Sequence, residues 1–315
     1  MKFLKIFFIL KLIPSILFSQ VIDDSLKVYH LEEIVVTATR SKILLKDSPS
    51  SISIITQEQI QNTNGLTVAD VLQNSQSVFL KDYGANGSLK TLSLRGTASE
   101  HQLVLVDGNR YSNFQNGLID FSLIPLSNVE RIEVVYGGNS ALYGSDALGG
   151  VINILTRQPV SDRKVRSEVS KGSFGFERIL LEGQGKFHDV GLLFGYLGEH
   201  GRDDYPYIVK QMNNFDTTLH RTNADFFRKQ AYFNGVFQPD YHSSLTISSQ
   251  YLTAERGAPG PFITLNDLSF ARQSDDDINL LINYFDTHIN GIEFSVGSGL
   301  HSALQRYVDP NPSFP

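Results

Sequence analysis

The sequence lacks the residues on which several classes of protein depend. It contains 0 Cys and 0 Trp, and only 2 Met among 315 residues. Without cysteine there is no disulfide framework, no zinc finger and no thiol nucleophile. Lys and Arg form no cluster and the formal net charge is -6, which argues against a nucleic-acid partner. The 13 Tyr and 21 Phe suit strands with interfacial aromatic girdles, although a soluble β protein could also carry them.

Long apolar runs are missing except at the start of the chain. There, Lys2 and Lys5 accompany a mostly apolar stretch that ends at Phe18 and is interrupted by Lys11 and Pro14. A membrane-spanning helix needs roughly 20 predominantly apolar residues, so residues 1–20 are predicted to be a removable signal peptide. An amphipathic or membrane-anchoring N-terminus is the alternative.

Catalytic motifs are missing as well. The 8 His include no pair at helical metal-ligand spacing, and neither HExxH nor GxSxG occurs. The glycine-rich segment Gly137 to Gly150 could cradle a phosphate, but it has neither a P-loop ending nor the dinucleotide-binding spacing. It is therefore interpreted as a compact loop that needs close backbone packing, and the protein is predicted not to be an enzyme.

Residues 48–157 carry a mixed helix and strand pattern. Thr56 followed by Gln59 is a capping signal for a short helix from Gln57 to Asn62, and Thr67 begins a second helix. The predicted strands are Ser51 to Ile55, Val78 to Leu80, Thr91 to Leu94, Gln102 to Val106, Arg131 to Tyr136 and Val151 to Leu155. A small α+β domain follows from this pattern.

After residue 164 the pattern changes to long strands that alternate between apolar and polar positions. Short turns, such as His188 and Asp189 or Asn290 and Gly291, alternate with the long polar segments Gly201 to Arg228 and Ala254 to Asp277. This asymmetry is typical of transmembrane barrels, with a soluble β-sandwich as the alternative. About seven strands are predicted, with Ala231, Phe233 and Phe237 facing lipid and Gln230 and Asn234 facing the lumen.

Three blocks in order carry a family resemblance: EEIVVTATR (32–40), SLRG with LVLVDG (93–108), and NVERIEVVYGGNSALYGSDALGGVINIL (128–155). They resemble the energy-coupling box and plug domain of the TonB-dependent outer-membrane receptors, and among these the cobalamin (vitamin B12) receptors. The resemblance implies an α+β plug domain followed by the first strands of an antiparallel transmembrane β-barrel of the roughly 22-stranded type. Because seven strands cannot close such a barrel, the chain is predicted to be either an N-terminal fragment of a longer receptor or a truncated product.

The resemblance also implies domains and partners. Residues 1–20 would be the signal peptide, 21–47 a periplasmic leader with the TonB box at 32–38, 48–157 the plug, and 164–315 the N-terminal part of the barrel. The expected function is TonB-dependent uptake across the Gram-negative outer membrane, with TonB, its ExbB/ExbD energy supply and outer-membrane lipid as partners. Cobalamin is the expected ligand, a ferric siderophore or other iron complex is the alternative, and a truncated surface binding module without transport is the alternative of another class.

Candidate site residues fall into four groups. The coupling segment, a β-branched run able to add as a strand to TonB, comprises Glu33, Ile34, Val35, Val36, Thr37 and Ala38. By the resemblance, ligand contacts come from barrel loops and from two plug apices, Tyr83 to Ser88 and Ser112 to Leu118. The candidate contacts are Tyr83, Asn86, Asn113, Phe114, Gln115 and Asn116, which could equally be solvated loop residues. By the same resemblance, Arg95 and Arg131 pair with glutamates of the barrel wall, and an exposed salt bridge within the plug is the alternative. No cofactor is expected, unless Ca²⁺ binds in external loops through Asp203, Asp204, Asp275, Asp276 and Asp277, which could instead be a solvated charge run.

Overall fold

The computed structural model describes residues 34–35, 43–44, 48, 50–84, 86–113, 117–137, 144–159, 162–210, 216–259, 269–289 and 292–310. The chain divides into a unit of residues Met1–Glu32 and a unit of residues Glu33–Pro315. The predicted signal peptide and most of the leader lie outside the described residues. Within the described part, no helix is long and apolar enough to cross a membrane.

The N-terminal half builds an α+β domain. Its elements are β1 (Ile34–Val35), β2 (Ile43–Leu44), β3 (Ser51–Ile55), α1 (Gln57–Gln61), α2 (Val68–Leu72), β4 (Val78–Asp82), β5 (Lys90–Leu94), β6 (Gln102–Val106), β7 (Asn109–Tyr111), β8 (Val129–Tyr136) and β9 (Gly150–Thr156). Five strands form one sheet in the order β3-β8-β9-β6-β7, and β4 pairs with β5 separately. All six predicted strands of this half are confirmed, whereas β7 was not predicted.

Local side-chain bonds start both helices. The Thr56 side chain accepts from the Gln59 amide at 3.4 Å, and the Gln59 side chain accepts from the Thr56 amide at 2.9 Å, which confirms the predicted cap of α1. At α2, Asp70 accepts from the backbone of Thr67 at 2.9 Å. Such caps satisfy amides that a helix start leaves unpaired.

The core of this domain lies between the helices and the five-stranded sheet. Its fully buried side chains include Leu72, Leu92, Phe121, Ile132 and Ile152. Each is an apolar residue from a different segment, so the core ties the helices, β5, β8, β9 and the turn near residue 121 together. Burial of such a side chain contributes about 1.5–3 kcal/mol.

Close backbone packing explains one glycine of the 137–150 segment. Gly150 has a φ of +149°, and a Cβ there would lie 2.4 Å from the carbonyl oxygen of Val135 on the neighbouring strand. No side chain fits, because real Cβ atoms essentially never approach another atom so closely. Residues 138–143 lie outside the described residues.

The C-terminal half forms a second, larger sheet. Its elements are β10 (Lys164–Lys171), β11 (Glu177–Phe187), β12 (Val190–Gly201), β13 (Pro206–Lys210), β14 (Asp216–His220), β15 (Phe226–Phe237), β16 (Ser243–Gly257), β17 (Arg272–Ile289) and β18 (Ile292–Val308). Seven strands pair antiparallel in the order β10-β11-β12-β15-β16-β17-β18, which agrees with the predicted number. β13 and β14 form a separate hairpin within the segment predicted to be a long loop.

Strand boundaries differ from the prediction at three places. β15 begins at Phe226, β16 ends at Gly257 and β17 begins at Arg272, so part of each predicted polar loop is strand. The reason is that polar side chains at these strand ends, such as Arg228 and Asp275, are buried. The polar residues at these strand ends therefore face the N-terminal domain and not solvent.

The two faces of the large sheet differ as predicted along β15. Gln230 and Asn234 are each 1% exposed, whereas Phe233 and Phe237 are exposed on the opposite face. We call these the inner and outer faces. The end of the sheet with short connections, at residues 187–190, 237–243 and 289–292, is the turn end, and the opposite end is the loop end.

The predicted coupling segment pairs within the chain over the two of its residues that are described. Ile34 pairs with Leu44 and Val35 with Ile43 in an antiparallel ladder. The partner strand is a second apolar dipeptide only a few residues downstream. Glu33, Val36, Thr37 and Ala38 lie outside the described residues.

Candidate functional site

A row of mostly polar residues crosses the inner face of the large sheet. Register pairs link its seven members from one strand to the next: Ser170, Arg178, Glu199, Arg228, Ala254, Asp275 and Gln305. We call this set the charged row. Opposite charges directly across antiparallel strands attract. The alternation of Arg178, Glu199 and Arg228 therefore favours this strand register and also pairs each buried charge with an opposite one.

The charged row contacts the N-terminal domain through Arg228. Its Nε donates to Glu199 Oε2 at 2.8 Å, and its Nη1 donates to the backbone carbonyl of Ser122. Both charged side chains are almost completely buried, at 4% and 0% exposure. A buried ion pair is stable only when it is well hydrogen-bonded, and here the carbonyl of the other domain supplies one of the bonds.

Arg256 forms a second polar junction between the two halves. One guanidinium nitrogen donates to Ser122 Oγ and to the Gly87 carbonyl, each at 2.9 Å. The other lies 2.6 Å from Asp120 Oδ2 and 3.3 Å from Asp275 Oδ2. Because the Arg256 side chain is only 5% exposed, its charge is balanced by both carboxylates with little help from solvent.

A second group of contacts lies nearer the turn end. Ser127 Oγ donates to Gln230 Oε1 at 2.6 Å, and the Asn234 amide donates to Asn128 Oδ1 at 2.8 Å. Arg157 pairs with Glu182 of β11. Tyr232 OH donates to the same Glu182 at 2.8 Å. The inner face therefore holds the N-terminal domain by hydrogen bonds along the length of β15.

Arg95 and Arg131, predicted to pair with barrel glutamates, contact their own domain. Arg131 lies 2.8 Å from Glu133 two positions along β8, and Arg95 lies over the Tyr136 ring at 5.4 Å. Arg95 has a φ of +50°, so the turn redirects its side chain toward β8. Arg157 and Arg256 form the ion pairs between this domain and the sheet described above. Sequence reasoning missed Arg256 because it interpreted residues 254–277 as a loop.

The first predicted apex, residues 83–88, is attached to the loop end of the sheet. The Asn86 backbone and side-chain amides donate to Asp203 at 2.9 and 3.1 Å, so this predicted ligand contact is engaged within the protein. A Cβ on Gly87 would lie 2.4 Å from Phe226 Cβ, which shows how closely the apex approaches β15. Tyr83 is 51% exposed and remains accessible.

The second predicted apex borders a cavity of about 350 Å³. Ser112, Asn113 and Leu118 line it from the N-terminal domain, and His301 and Gln305 line it from β18. Phe114, Gln115 and Asn116 lie outside the described residues. The structure thus places Asn113 at a cavity between the two halves.

Three side chains meet at the floor of this cavity. Tyr111 OH donates to Asp277 Oδ2 at 3.0 Å, and His301 Nε2 lies 2.7 Å from the same oxygen. The Tyr111 and His301 rings pack at 4.5 Å between centroids. Burial first, and then the Asp277 carboxylate, raises the pKa of Tyr111 well above its usual value, so the phenol stays protonated as a donor.

The acidic residues predicted to bind Ca²⁺ in external loops are differently placed. Asp275, Asp276 and Asp277 lie within β17, where strand alternation sends Asp276 to the opposite face from the two buried neighbours. Asp203 accepts from Asn86, and Asp204 lies 3.7 Å from Arg202. Among the described residues, no group of three or more His, Asp or Glu is placed to hold a metal ion.

Comparison with known proteins identifies the N-terminal domain. The TonB-dependent Receptor Plug Domain family matches residues 44–151, which covers the helices and β2 to the start of β9. Residues 44–151 are a TonB-dependent receptor plug domain. The plug sits on the inner face of a sheet whose seven antiparallel strands resemble part of the barrel of such receptors.

Relatives by sequence are vitamin B12 transporters. The chain is 37% identical over 150 residues to the Vitamin B12 transporter BtuB of Vibrio cholerae, covering 48% of this chain and 24% of the transporter. It is 36% identical over 167 residues to that of Photobacterium profundum, covering 53% of this chain and 26% of the transporter. The chain thus spans about a quarter of the length of these relatives.

Relatives by structure are receptors for iron complexes. The siderophore receptor PiuA from Acinetobacter baumannii superposes with a TM-score of 0.66 at 22% identity, covering 86% of this chain and 38% of that one. The ferripyoverdine receptor of Pseudomonas aeruginosa superposes with a TM-score of 0.68 at 17% identity, covering 88% and 37%. These similarities establish that plug and sheet share the receptor fold.

Proposed function

We propose that this chain acts in a TonB-dependent outer-membrane receptor that takes up cobalamin. The observation that carries the proposal is the plug domain seated on the inner face of barrel-like strands, held by Arg228 and Arg256 through buried bonds. A plug in this position occludes the lumen, so passage of a ligand requires the plug to move or rearrange. Nothing in this arrangement calls for a chemical step on the ligand.

The loop end of the sheet is the side that captures ligand in this proposal. Both plug apices lie against that end. Residues 83–88 contact Asp203 and Arg256, and Asn113 lines the cavity beside the loop end of β17. The outer face, with Phe233 and Phe237 exposed, faces outer-membrane lipid.

The segment from Glu33 to Ala38 is the coupling element in this proposal. Strand addition to TonB, powered by ExbB and ExbD, requires free backbone donors and acceptors on one edge. The pairing of β1 with β2 covers two residue pairs, and a two-stranded ladder of this length is marginal by itself. TonB could therefore replace β2 at small energetic cost, or add to the other edge.

The choice of cobalamin rests on the sequence similarity to vitamin B12 transporters. The alternative, a ferric siderophore or other iron complex, is favoured by the structural neighbours. The test is surface binding and uptake of radiolabelled cyanocobalamin and of ⁵⁵Fe-loaded siderophores by cells that carry the receptor encoded by the natural gene. We expect cobalamin to bind and enter; uptake of an iron complex without cobalamin binding would replace the ligand and keep the receptor class.

A further inference from the structure

The cavity between the plug and strands β17 and β18 has an apolar wall and a polar floor. Leu118, Ile119 and Leu123 of the plug supply apolar surface, while Asp277 and His301 lie on the sheet side. Ligand sites in proteins combine apolar walls with a few convergent polar groups in this manner. The cavity lies at the second apex but uses residues of the sheet that the sequence resemblance does not assign to ligand.

One oxygen at the floor is buried without a hydrogen-bond donor. Asp277 has a side chain that is 8% exposed, and its Oδ2 is engaged by Tyr111 and His301. Its Oδ1 is buried and has no partner among the described residues. A buried carboxylate oxygen without a donor is costly, so a donor from a bound molecule would be favoured there.

The charge around the cavity is negative. Asp120, Asp275 and Asp277 line it, and Arg256 pairs with the first two of these carboxylates. The pKa of the Tyr111 phenol reflects this negative charge. Burial raises that pKa most, and the carboxylates of Asp277, Asp120 and Asp275 raise it further. An anion entering this cavity would meet carboxylates at short range in a poorly solvated space.

Resting on the proposed receptor function, we propose that this cavity is a ligand subsite for a group that donates N–H bonds, such as a primary amide or an ammonium group. Asp277 Oδ1 accepts the bond, the plug leucines cover the attached apolar part, and carboxylate or catecholate groups are rejected. Asp277 is thus a specificity-determining residue. Cobalamin carries several primary amides, and cationic iron complexes carry ammonium groups, so the subsite selects by charge within either ligand class.

The test compares matched ligands that differ in charge. Binding to the receptor encoded by the natural gene is measured for cyanocobalamin and for its monocarboxylates, in each of which one side-chain amide is hydrolysed. Ferrioxamine B, with a free ammonium group, and anionic ferric citrate form the second pair. The anionic member of each pair loses the hydrogen bond to the charged Asp277 carboxylate. We therefore expect the amide or ammonium member to bind about tenfold to a hundredfold more tightly than its anionic counterpart. For the cobalamin pair, this applies to the regioisomer whose altered group enters the cavity.

Two variants link this preference to Asp277. Asp277→Asn removes the charge with little change of shape, and Ala303→Lys places a cation directly opposite Asp277 on the neighbouring strand. Both should reduce the preference to less than about threefold, the second without touching the buried floor. Asp286→Asn makes the same charge change at the turn end of β17 and should leave the preference intact.

The outcomes separate the subsite from the receptor function. Binding with an unchanged preference in both variants, or tighter binding of the anionic members by the unaltered receptor, would overturn the subsite alone. Binding of ferrioxamine B but not of cyanocobalamin, with the Asp277 dependence intact, would overturn the cobalamin assignment and keep the subsite. If none of the four probes binds, the proposed function fails and the subsite with it.

Discussion

Removal of the Arg256 side-chain charge should loosen the plug from the sheet. In Arg256→Met, Asp120 keeps the backbone amides of Lys90 and Ser122, at 3.1 and 2.9 Å, and Asp275 keeps the amide of Gln305 at 2.9 Å. Breaking a buried ion pair costs about 3–5 kcal/mol, and these remaining donors place the expected loss near the lower value, about 3 kcal/mol. That corresponds to roughly a hundredfold larger open population of the plug.

The assay is the rate of trypsin cleavage within the plug of the assembled receptor. When opening is fast compared with cleavage, the rate follows the open population, so we expect about a hundredfold acceleration. Arg202→Met is the matched control, because the Arg202 side chain is 71% exposed and its Nε lies 3.7 Å from Asp204. This variant should change the rate by less than about fivefold.

A double-mutant cycle with Asp120→Asn isolates the pair. Because Arg256→Met already removes the cation that Asp120 faces, the two changes together should cost about 0.5–3 kcal/mol less than the sum of the single changes. Additive effects, or an Arg256→Met receptor as resistant to trypsin as the Arg202→Met control, would refute the assignment of Arg256 as the junction between plug and sheet.

Three further predictions follow from other contacts. Burial alone would raise the pKa of Asp70, but Lys90 and the backbone amides of Thr67 and Leu66 outweigh burial, so the pKa in the folded protein is lowered. The ionised Asp70 therefore stabilises the plug at pH values above its ordinary pKa of 3.8. This contribution is lost as the pH falls through the lower pKa of the folded state. Asp70→Asn should cost about 2–4 kcal/mol at pH 7 in urea unfolding of the plug and much less near pH 2; equal costs at both pH values would contradict this. Gly87→Ala, whose Cβ would lie 2.4 Å from Phe226 Cβ, should accelerate trypsin cleavage near the first apex, and cleavage at the wild-type rate would contradict this close packing. Val35→Pro should abolish ligand uptake but not surface binding because it removes a backbone donor, whereas Val35→Thr should be mild; normal uptake by the proline variant at wild-type abundance would remove the coupling role.

Sequence patterns alone determined the local elements of this protein. The Thr56 and Gln59 cap, the α+β order of the plug and the two-faced alternation of β15 depend on neighbours within a few residues, so periodicity and capping predict them. The glycine-framed blocks were specific enough to indicate the plug family, which the match to residues 44–151 bears out.

Tertiary structure decided which charged residues meet. The charged row exists because the register of seven strands aligns Arg178, Glu199 and Arg228, and register depends on pairing that no single strand encodes. Polar residues at the ends of β15 and β17 look like loop residues in a linear sequence, because their burial is supplied by the plug. Tyr111 and Asp277 lie 166 positions apart, and the plug packing against the sheet is what brings them within hydrogen-bond distance.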